Sequence, residues 1–346
     1  MAAQFFSLDI GTSLIKIVEM RLDNKSRRLL AAGMTPTPGK GFLSETDNDI
    51  KMLADAVHTL ASQIGVSGDH IVASLPESQI FTRVIEMPVL TNSELQQAIK
   101  YESEQYIPIP LNEVKLDYQV LNRPQGQGNN KKMEVLLVAA PVILVNRYLK
   151  IIQTAGFKPL ALDTEVTSTT RVFISAAQGV PTTLMIEIGA STTILSVVSA
   201  GKIAFTRSLA VGGLTFARAV AQDLGFDINQ AEQYKNTYGL DDSLLDGKIA
   251  ASIKSIFDVI TTEVQRALAF WVGKHPEDVV KRFIVTGGSS KLVGVVPYLT
   301  QVTGLEGQVP NTWEGIDFAQ SVNPRVKEDG PFYSIATGLA LRDRND

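Results

Sequence analysis

The chain has no cysteine in its 346 residues, which excludes a disulfide, a thiol nucleophile and any cysteine-ligated metal, and suits a reducing compartment. Histidine is scarce as well. His58, His70 and His275 lie in unrelated segments without ligand spacing, so transition-metal chemistry is not expected. Long hydrophobic runs are missing: the longest, Leu136 to Val145, is interrupted by Pro141 and falls far short of the roughly 20 residues that a membrane span needs. Met1 to Phe6 carry no basic n-region and lead straight toward a strand, so neither a secretory signal nor direct membrane insertion is expected. After Gly338 to Arg342 comes a polar tail, Asp343 to Asp346, with no amphipathic helix to lie on a bilayer. Basic charge is not in excess either. A formal charge of −4 and a pI near 5.6 argue against nucleic acid as a ligand. The small basic groups at Lys25, Arg27, Arg28 and at Lys131, Lys132 sit in polar turn sequences and read as solvated hairpin tips.

What is present is a globular composition, 45% hydrophobic and 20% charged, long enough for two lobes with well-buried interiors. The chain also says one thing twice. Leu8-Asp9-Ile10-Gly11-Thr12-Ser13 recurs as Ile186-Glu187-Ile188-Gly189-Ala190-Ser191. Each copy reads as a buried strand that delivers an acid, turns through glycine into small hydroxyl residues, and returns as a second strand. Such a turn offers consecutive N–H groups and hydroxyls to phosphate oxygens, while the acid can serve a bound cation. A third glycine turn, Gly287-Gly288-Ser289-Ser290-Lys291, follows the short apolar run Phe283 to Thr286 and could let a flat group lie on the backbone.

Around these turns the periodicity predicts a three-strand opening that ends with Leu29 to Thr35, a helix over Asp47–Ile64 capped by Thr46 or Asp47, and a strand at Ile71–Leu75. A small α+β module should then occupy about 79–162. Its parts are strand Ile80–Met87, helix Asn92–Gln105 capped by Thr91 or Ser93, strands Val114–Leu121 and Met133–Ala140, helix Ile143–Ala155 and strand Pro159–Leu162. Arg123 to Lys132 reads as a polar hairpin loop. A connecting helix, Glu165–Ala177, leads to the second meander, Thr183–Ile188, Thr192–Val198 and Lys202–Ser208. Gly212-Gly213 opens a helix, a second helix carries Glu232 and Lys235 and stops at Gly239, a long core helix spans about Leu244–Gly273, and another covers Leu292–Val302. Glu232 and Lys235, three apart, share one helical face, as either a ribose-binding pair or a surface ion pair.

Three glycine turns in this order, two of them duplicated acid-Gly-hydroxyl hairpins, resemble the actin-like ATPase superfamily. The run Leu95 to Val114, with Tyr106-Ile107-Pro108-Ile109-Pro110, is similar to the PilM family of type IV pilus assembly proteins and next to the FtsA cell-division proteins. The resemblance implies an α/β actin-like ATPase fold, two duplicated lobes around a nucleotide cleft. Lobe 1 would hold 1–78, 163–180 and part of 330–346, the inserted module 79–162, and lobe 2 181–329. It implies ATP with magnesium. Gly11, Thr12, Ser13 and Lys16 would meet the outer phosphates from one side and Gly189, Ala190, Ser191 and Thr192 from the other. Gly212, Gly213, Glu232 and Lys235 would wall the ribose and adenine, Gly287 and Gly288, with Ser289 and Lys291 beside them, would meet the adenosine, and Asp9 and Glu187 would serve magnesium through water.

The implied role is a cytoplasmic adaptor, peripheral at the inner face of the cytoplasmic membrane, whose module takes the N-terminal peptide of a PilN-like inner-membrane protein. Tyr106, Ile107 and Ile109 would shape the module or only fill its core. Self-association stays open. The alternatives are an FtsA-like filament or cell-division protein, against which the absent C-terminal amphipathic helix weighs, and an actin-fold ATPase or kinase, for which no acceptor motif is found. Glu187 stands where the superfamily usually has aspartate, and no water-activating base is legible, so ATP binding is expected ahead of efficient turnover.

Overall fold

A computed structural model describes residues 4–23, 26–39, 46–124, 132–174 and 180–342. Lys25, Lys131, most of the loop Arg123 to Lys132, residues 1–3, the expected helix end at 175–177 and the tail Asp343 to Asp346 lie outside them.

The opening meander comprises β1 (Phe5–Ile10), β2 (Leu14–Asp23) and β3 (Ser26–Pro36), followed by α1 (Asp47–Ile64) and β4 (His70–Leu75). Thr46 caps α1 by accepting from the Asp49 N–H at 3.2 Å. The module follows with β5 (Phe81–Pro88), α2 (Asn92–Glu104), β6 (Val114–Asn122) and β7 (Lys132–Pro141), and a 3-10 turn, Glu77–Gln79, joins β4 to β5. Thr91, not Ser93, caps α2, and Glu94 returns the bond to complete a capping box. Next come α3 (Val142–Thr154), β8 (Lys158–Thr164) and α4 (Glu165–Phe173).

The second half opens with β9 (Thr183–Ile188), β10 (Thr193–Ser199) and β11 (Lys202–Leu209). It continues through α5 (Gly213–Leu224), α6 (Ile228–Tyr238), α7 (Lys248–Lys274), β12 (Arg282–Thr286), α8 (Val295–Thr303) and β13 (Glu306–Gln308). The chain closes with β14 (Asp317–Phe318), α9 (Arg325–Glu328) and α10 (Ser334–Ala340).

Among the described residues the strands form three sheets, ordered β14-β3-β2-β1-β4-β8, β11-β10-β9-β12-β13 and β5-β7-β6. In the first two, an antiparallel meander is extended by a parallel strand beside its first member, β4 beside β1 and β12 beside β9. The repeated sequence is thus a repeated topology, the actin-like α/β arrangement of two related lobes. Phe6, Leu8, Ile15 and Ile17 face α1 and α3 in one core, while Leu184, Ile186 and Phe283 meet Phe216 of α5 and Phe257 of α7 in the other. Each such side chain contributes about 1.5–3 kcal/mol when fully buried.

The structure differs from the sequence expectation in several boundaries. Strand Pro159–Leu162 was expected in the module, yet β8 pairs with β4 in the first sheet, and Tyr148, Ile151 and Ile152 of α3 lie in that sheet's core. Residues 310–329 were expected in lobe 2, but β14 pairs with β3, and Trp313, Ile316, Val322 and Val326 cover the outer part of the first sheet. Both differences have one cause: buried apolar faces and open strand edges are filled by segments remote in sequence. The long helix starts at Lys248 because Leu245, Asp246 and Gly247 all take left-handed φ, at 49°, 53° and 70°. Gly294, at φ 80°, likewise delays α8 to Val295. The connecting helix ends at Phe173, where Ile174 turns extended.

Candidate functional site

The two repeated turns have the same local geometry. The Gly11 N–H donates to the Leu14 carbonyl at 3.0 Å and the Gly189 N–H to the Thr192 carbonyl at 2.8 Å. Each closes a tight strand-to-strand turn whose small residues leave the backbone accessible. The turns face each other: the Thr12 and Ser191 hydroxyls are hydrogen-bonded at 2.7 Å across the two lobes. Between the lobes lies a cavity of about 610 Å³.

Antiparallel register explains the first ion pair in the cavity. Asp9 on β1 stands directly opposite Lys16 on β2, and Lys16 Nζ lies 2.9 Å from Asp9 Oδ2. The Ser74 hydroxyl donates to Asp9 Oδ1 at 3.2 Å. In the second copy the same register places Ile194 opposite Glu187. Glu187 therefore has no cationic cross-strand partner, and its Oε2 is buried without a hydrogen bond. Burial, with the Glu165 and Asp9 carboxylates adding to it, pushes the Glu187 carboxyl well above its ordinary range.

Glu165 was not singled out by the sequence, because an acid in the first turn of a helix is commonplace. In the structure it opens α4 behind the cap Thr164 and lines the cavity with Asp9, Lys16 and Glu187. The Glu77 N–H donates to Glu165 Oε2 at 2.8 Å. Burial first and the Asp9 charge next raise the Glu165 pKa to about 8. The arrangement thus collects acidic groups beside one lysine, a setting in which a cation bound with an anionic ligand relieves unfavourable charge.

At the other end of the cavity, Gly287 has φ 81°, and a Cβ there would fall 2.6 Å from the Ile188 carbonyl oxygen, so only glycine fits. The Gly213 N–H donates to the Gly189 carbonyl at 3.0 Å, tying the start of α5 to the second turn. Lys235 is only 5% exposed and lies 2.5 Å from Glu232 Oε1, an ion pair on the cavity wall rather than on an open surface. From the C-terminal part of the first lobe, Phe332 meets Gly288, and Lys291 pairs with Asp329 at 3.2 Å.

Gly11, Thr12, Ser13, Lys16, Gly189, Ala190, Thr192, Gly213, Glu232, Lys235, Gly287, Gly288, Ser289 and Lys291 line this one cavity with Asp9 and Glu187. Ser191 and Gly212 are not among its lining residues. Ser191 engages Thr12, and Gly212 packs on the backbone of Gly189 and Ala190. Besides Glu165, Asn236 and Phe332 line it without having been expected. Tyr106, Ile107 and Ile109 lie remote from it in the module's hydrophobic cluster, where the Arg83 guanidinium sits 5.1 Å over the Tyr106 ring.

The family model described as type IV pilus assembly protein PilM matches residues 7–344. The chain belongs to the PilM family. A solved PilM-PilN type IV pilus biogenesis complex is similar over 99% of both chains, at 28% identity and a TM-score of 0.85. Cell division protein FtsA of Enterococcus hirae is 20% identical over 353 residues, 89% of this chain and 78% of its own. MreB5 of Spiroplasma citri bound to AMPPNP shares the fold at a TM-score of 0.57 and 14% identity, covering 100% of this chain and 97% of MreB5. This PilM family member is therefore an actin-like protein of type IV pilus assembly. Among its described residues no helix is long and apolar enough to cross a membrane.

Proposed function

We propose that this PilM family member is a nucleotide-loaded adaptor that binds ATP with magnesium between its lobes and presents its inserted module to a membrane partner. The observation that carries the reading is the pair of duplicated turns, hydrogen-bonded through Thr12 and Ser191, that opens onto a cavity also lined by Lys16, Asp9, Glu165 and Glu187. Backbone N–H groups and hydroxyls of the turns suit phosphate oxygens, and Lys16 supplies a point charge for them. The hard oxygen donors of Asp9 and the partnerless Oε2 of Glu187 fit magnesium. Among the described residues no cluster of three such groups could cage a metal alone, which suits an ion held through phosphate and water. Magnesium would neutralise phosphate charge, and Asp9 and Glu187 would orient its water shell.

Glu165 gives the cavity an acid that could accept a proton from water once a cation lowers its pKa. Turnover remains secondary to binding in this reading, because Glu187 carries the longer arm where aspartate is usual. The solved PilM-PilN complex supports a PilN-like partner; in this reading the partner's N-terminal peptide would bind the module and hold the protein at the inner face of the cytoplasmic membrane. The module's β6 is an edge strand with alternate residues exposed, a form suited to an extended peptide.

Calorimetric titration with ATP and magnesium should show saturable binding. Lys16→Ala should weaken it about tenfold to a hundredfold, the range expected for one charge-assisted hydrogen bond. Phosphate release measured in the same samples should be slow. Absence of binding by the wild-type protein would reject the nucleotide reading, and rapid steady turnover would replace the adaptor with a motor or kinase. A labelled peptide copying the N-terminal segment of the PilN-like protein should bind saturably in fluorescence anisotropy, and a flat titration would reject that partner.

A further inference from the structure

Glu77 touches three parts of the molecule at once. It begins the 3-10 turn Glu77–Gln79, which ends the first-lobe strand β4 and feeds the module strand β5. Its backbone N–H holds the cavity carboxylate Glu165 at 2.8 Å. Its side chain points the other way, and the Thr206 hydroxyl of β11, in the second lobe, donates to Oε1 at 3.4 Å. The same Thr206 hydroxyl lies 3.5 Å from the Thr82 carbonyl of β5. The residue is only 5% exposed, so none of this is a surface arrangement.

The contact is also incompletely satisfied. Among the described residues Glu77 Oε2 and the Thr82 hydroxyl make no hydrogen bond of ordinary geometry, although the hydroxyl lies near enough to the carboxyl to favour its charged form. A buried donor and a buried acceptor side by side without a bond are costly to leave so, and a small shift of the turn would let them pair. The long Thr206 bond and the unmade Thr82 bond describe a carboxyl with two alternative sets of partners, one in the second lobe and one in the module. Such an element can convert a displacement at one end into a discrete change at the other.

We propose that Glu77 is the positioning residue that couples occupancy of the nucleotide cavity to the placement of the inserted module. The inference rests on the nucleotide reading above. A cation and phosphates bound beside Glu165 would displace the carboxylate that the Glu77 N–H holds. The turn moves with it, and the Glu77 side chain transfers its bond between Thr206 and Thr82. The module's first strand and the facing strand β11 then respond together, although neither lines the cavity.

Hydrogen exchange on the full chain, with and without ATP and magnesium, tests this when paired with calorimetry on the same preparations. In the wild-type protein nucleotide should alter amide exchange in Phe81–Pro88 and Lys202–Leu209 by about fivefold or more, the lower end of ordinary coupling between sites. Thr206→Val removes the second-lobe partner but no cavity group, and should abolish the response in these strands while changing ATP affinity by no more than about the factor of the lost coupling, roughly fivefold. Glu77→Ala should lose the response as well, and Glu77→Gln, which keeps an acceptor for Thr206, should retain part of it. Unchanged exchange in the wild-type strands despite ATP binding, or a full response in Thr206→Val, would overturn the coupling alone. No ATP binding by the wild-type protein would overturn both this inference and the nucleotide reading.

Discussion

At the scale of single residues, the cavity is defined by which charges are compensated. Asp9 and Lys16 face each other across an antiparallel pair, whereas among the described residues Glu187 and Glu165 in the cavity, and Glu77 beside it, form no salt bridge. Burial raises the Glu77 pKa from the ordinary 4.5 to about 7, with the Thr82 and Thr206 hydroxyls only partly offsetting it. The acid is thus favoured in its protonated form when folded. Its contribution to stability is fully present below pH 4.5 and is lost progressively as pH rises toward 7. The loss amounts to ~3 kcal/mol for a shift of this size. Glu165, raised to about 8, acts in the same direction and extends the window upward. Urea denaturation of the nucleotide-free protein should therefore show stability falling between pH 5 and 8 (roughly the interval between the unfolded and folded pKa values). Glu77→Gln should flatten the lower part of that slope, and an unchanged slope would show that Glu77 is already ionised.

At the scale of elements, the closing helix α10 determines how the first lobe meets its connecting helix. Gly338 packs so tightly on α4 that a Cβ would lie 1.9 Å from the Ser168 carbonyl oxygen. Arg171 of α4 donates to the Gly338 carbonyl at 2.7 Å and pairs with Asp163 at 3.0 Å, fixing the same junction. Since α4 begins with Glu165, the packing of α10 helps set where that carboxylate stands. Gly338→Ala must push the helices apart, an overpacking cost of about 1–3 kcal/mol or more. The expected result is a lower midpoint in thermal unfolding together with weaker ATP binding. A midpoint equal to that of the wild-type protein would show that α10 can shift without cost.

At the scale of the whole molecule, the lobes meet at both ends of the cavity. Thr12 and Ser191 join the turns at one end, and Lys291 with Asp329 and Phe332 joins the lobes at the other. A ligand held between the lobes binds the folded chain and not the unfolded one. At a free concentration one hundred times its Kd, ATP with magnesium should stabilise the fold by about 2.7 kcal/mol. Differential scanning calorimetry should show a midpoint that rises with ATP concentration in the wild-type protein and rises less in Lys16→Ala. A midpoint that does not move with ATP would contradict binding between the lobes.

The amino-acid sequence by itself determined the duplicated hairpins, the order of the three glycine turns and most helices and strands. These depend on local periodicity and on residues such as Gly11, Gly189 and Gly287, whose backbone needs are written in their type. It also contained the absence of a lysine partner for Glu187, since Ile194 stands seven residues on, as Lys16 does from Asp9. Only the tertiary structure decided that α3, β8 and β14 belong with the first sheet, because a strand edge is filled by whichever segment reaches it. The same holds for Glu165 and Glu77. Neither residue carries a local signal: Glu165 is buried beside Asp9 and Glu77, and Glu77 is buried against the hydroxyls of Thr82 and Thr206, with Asp9, Glu77, Glu165 and Thr206 delivered by segments far apart in the chain.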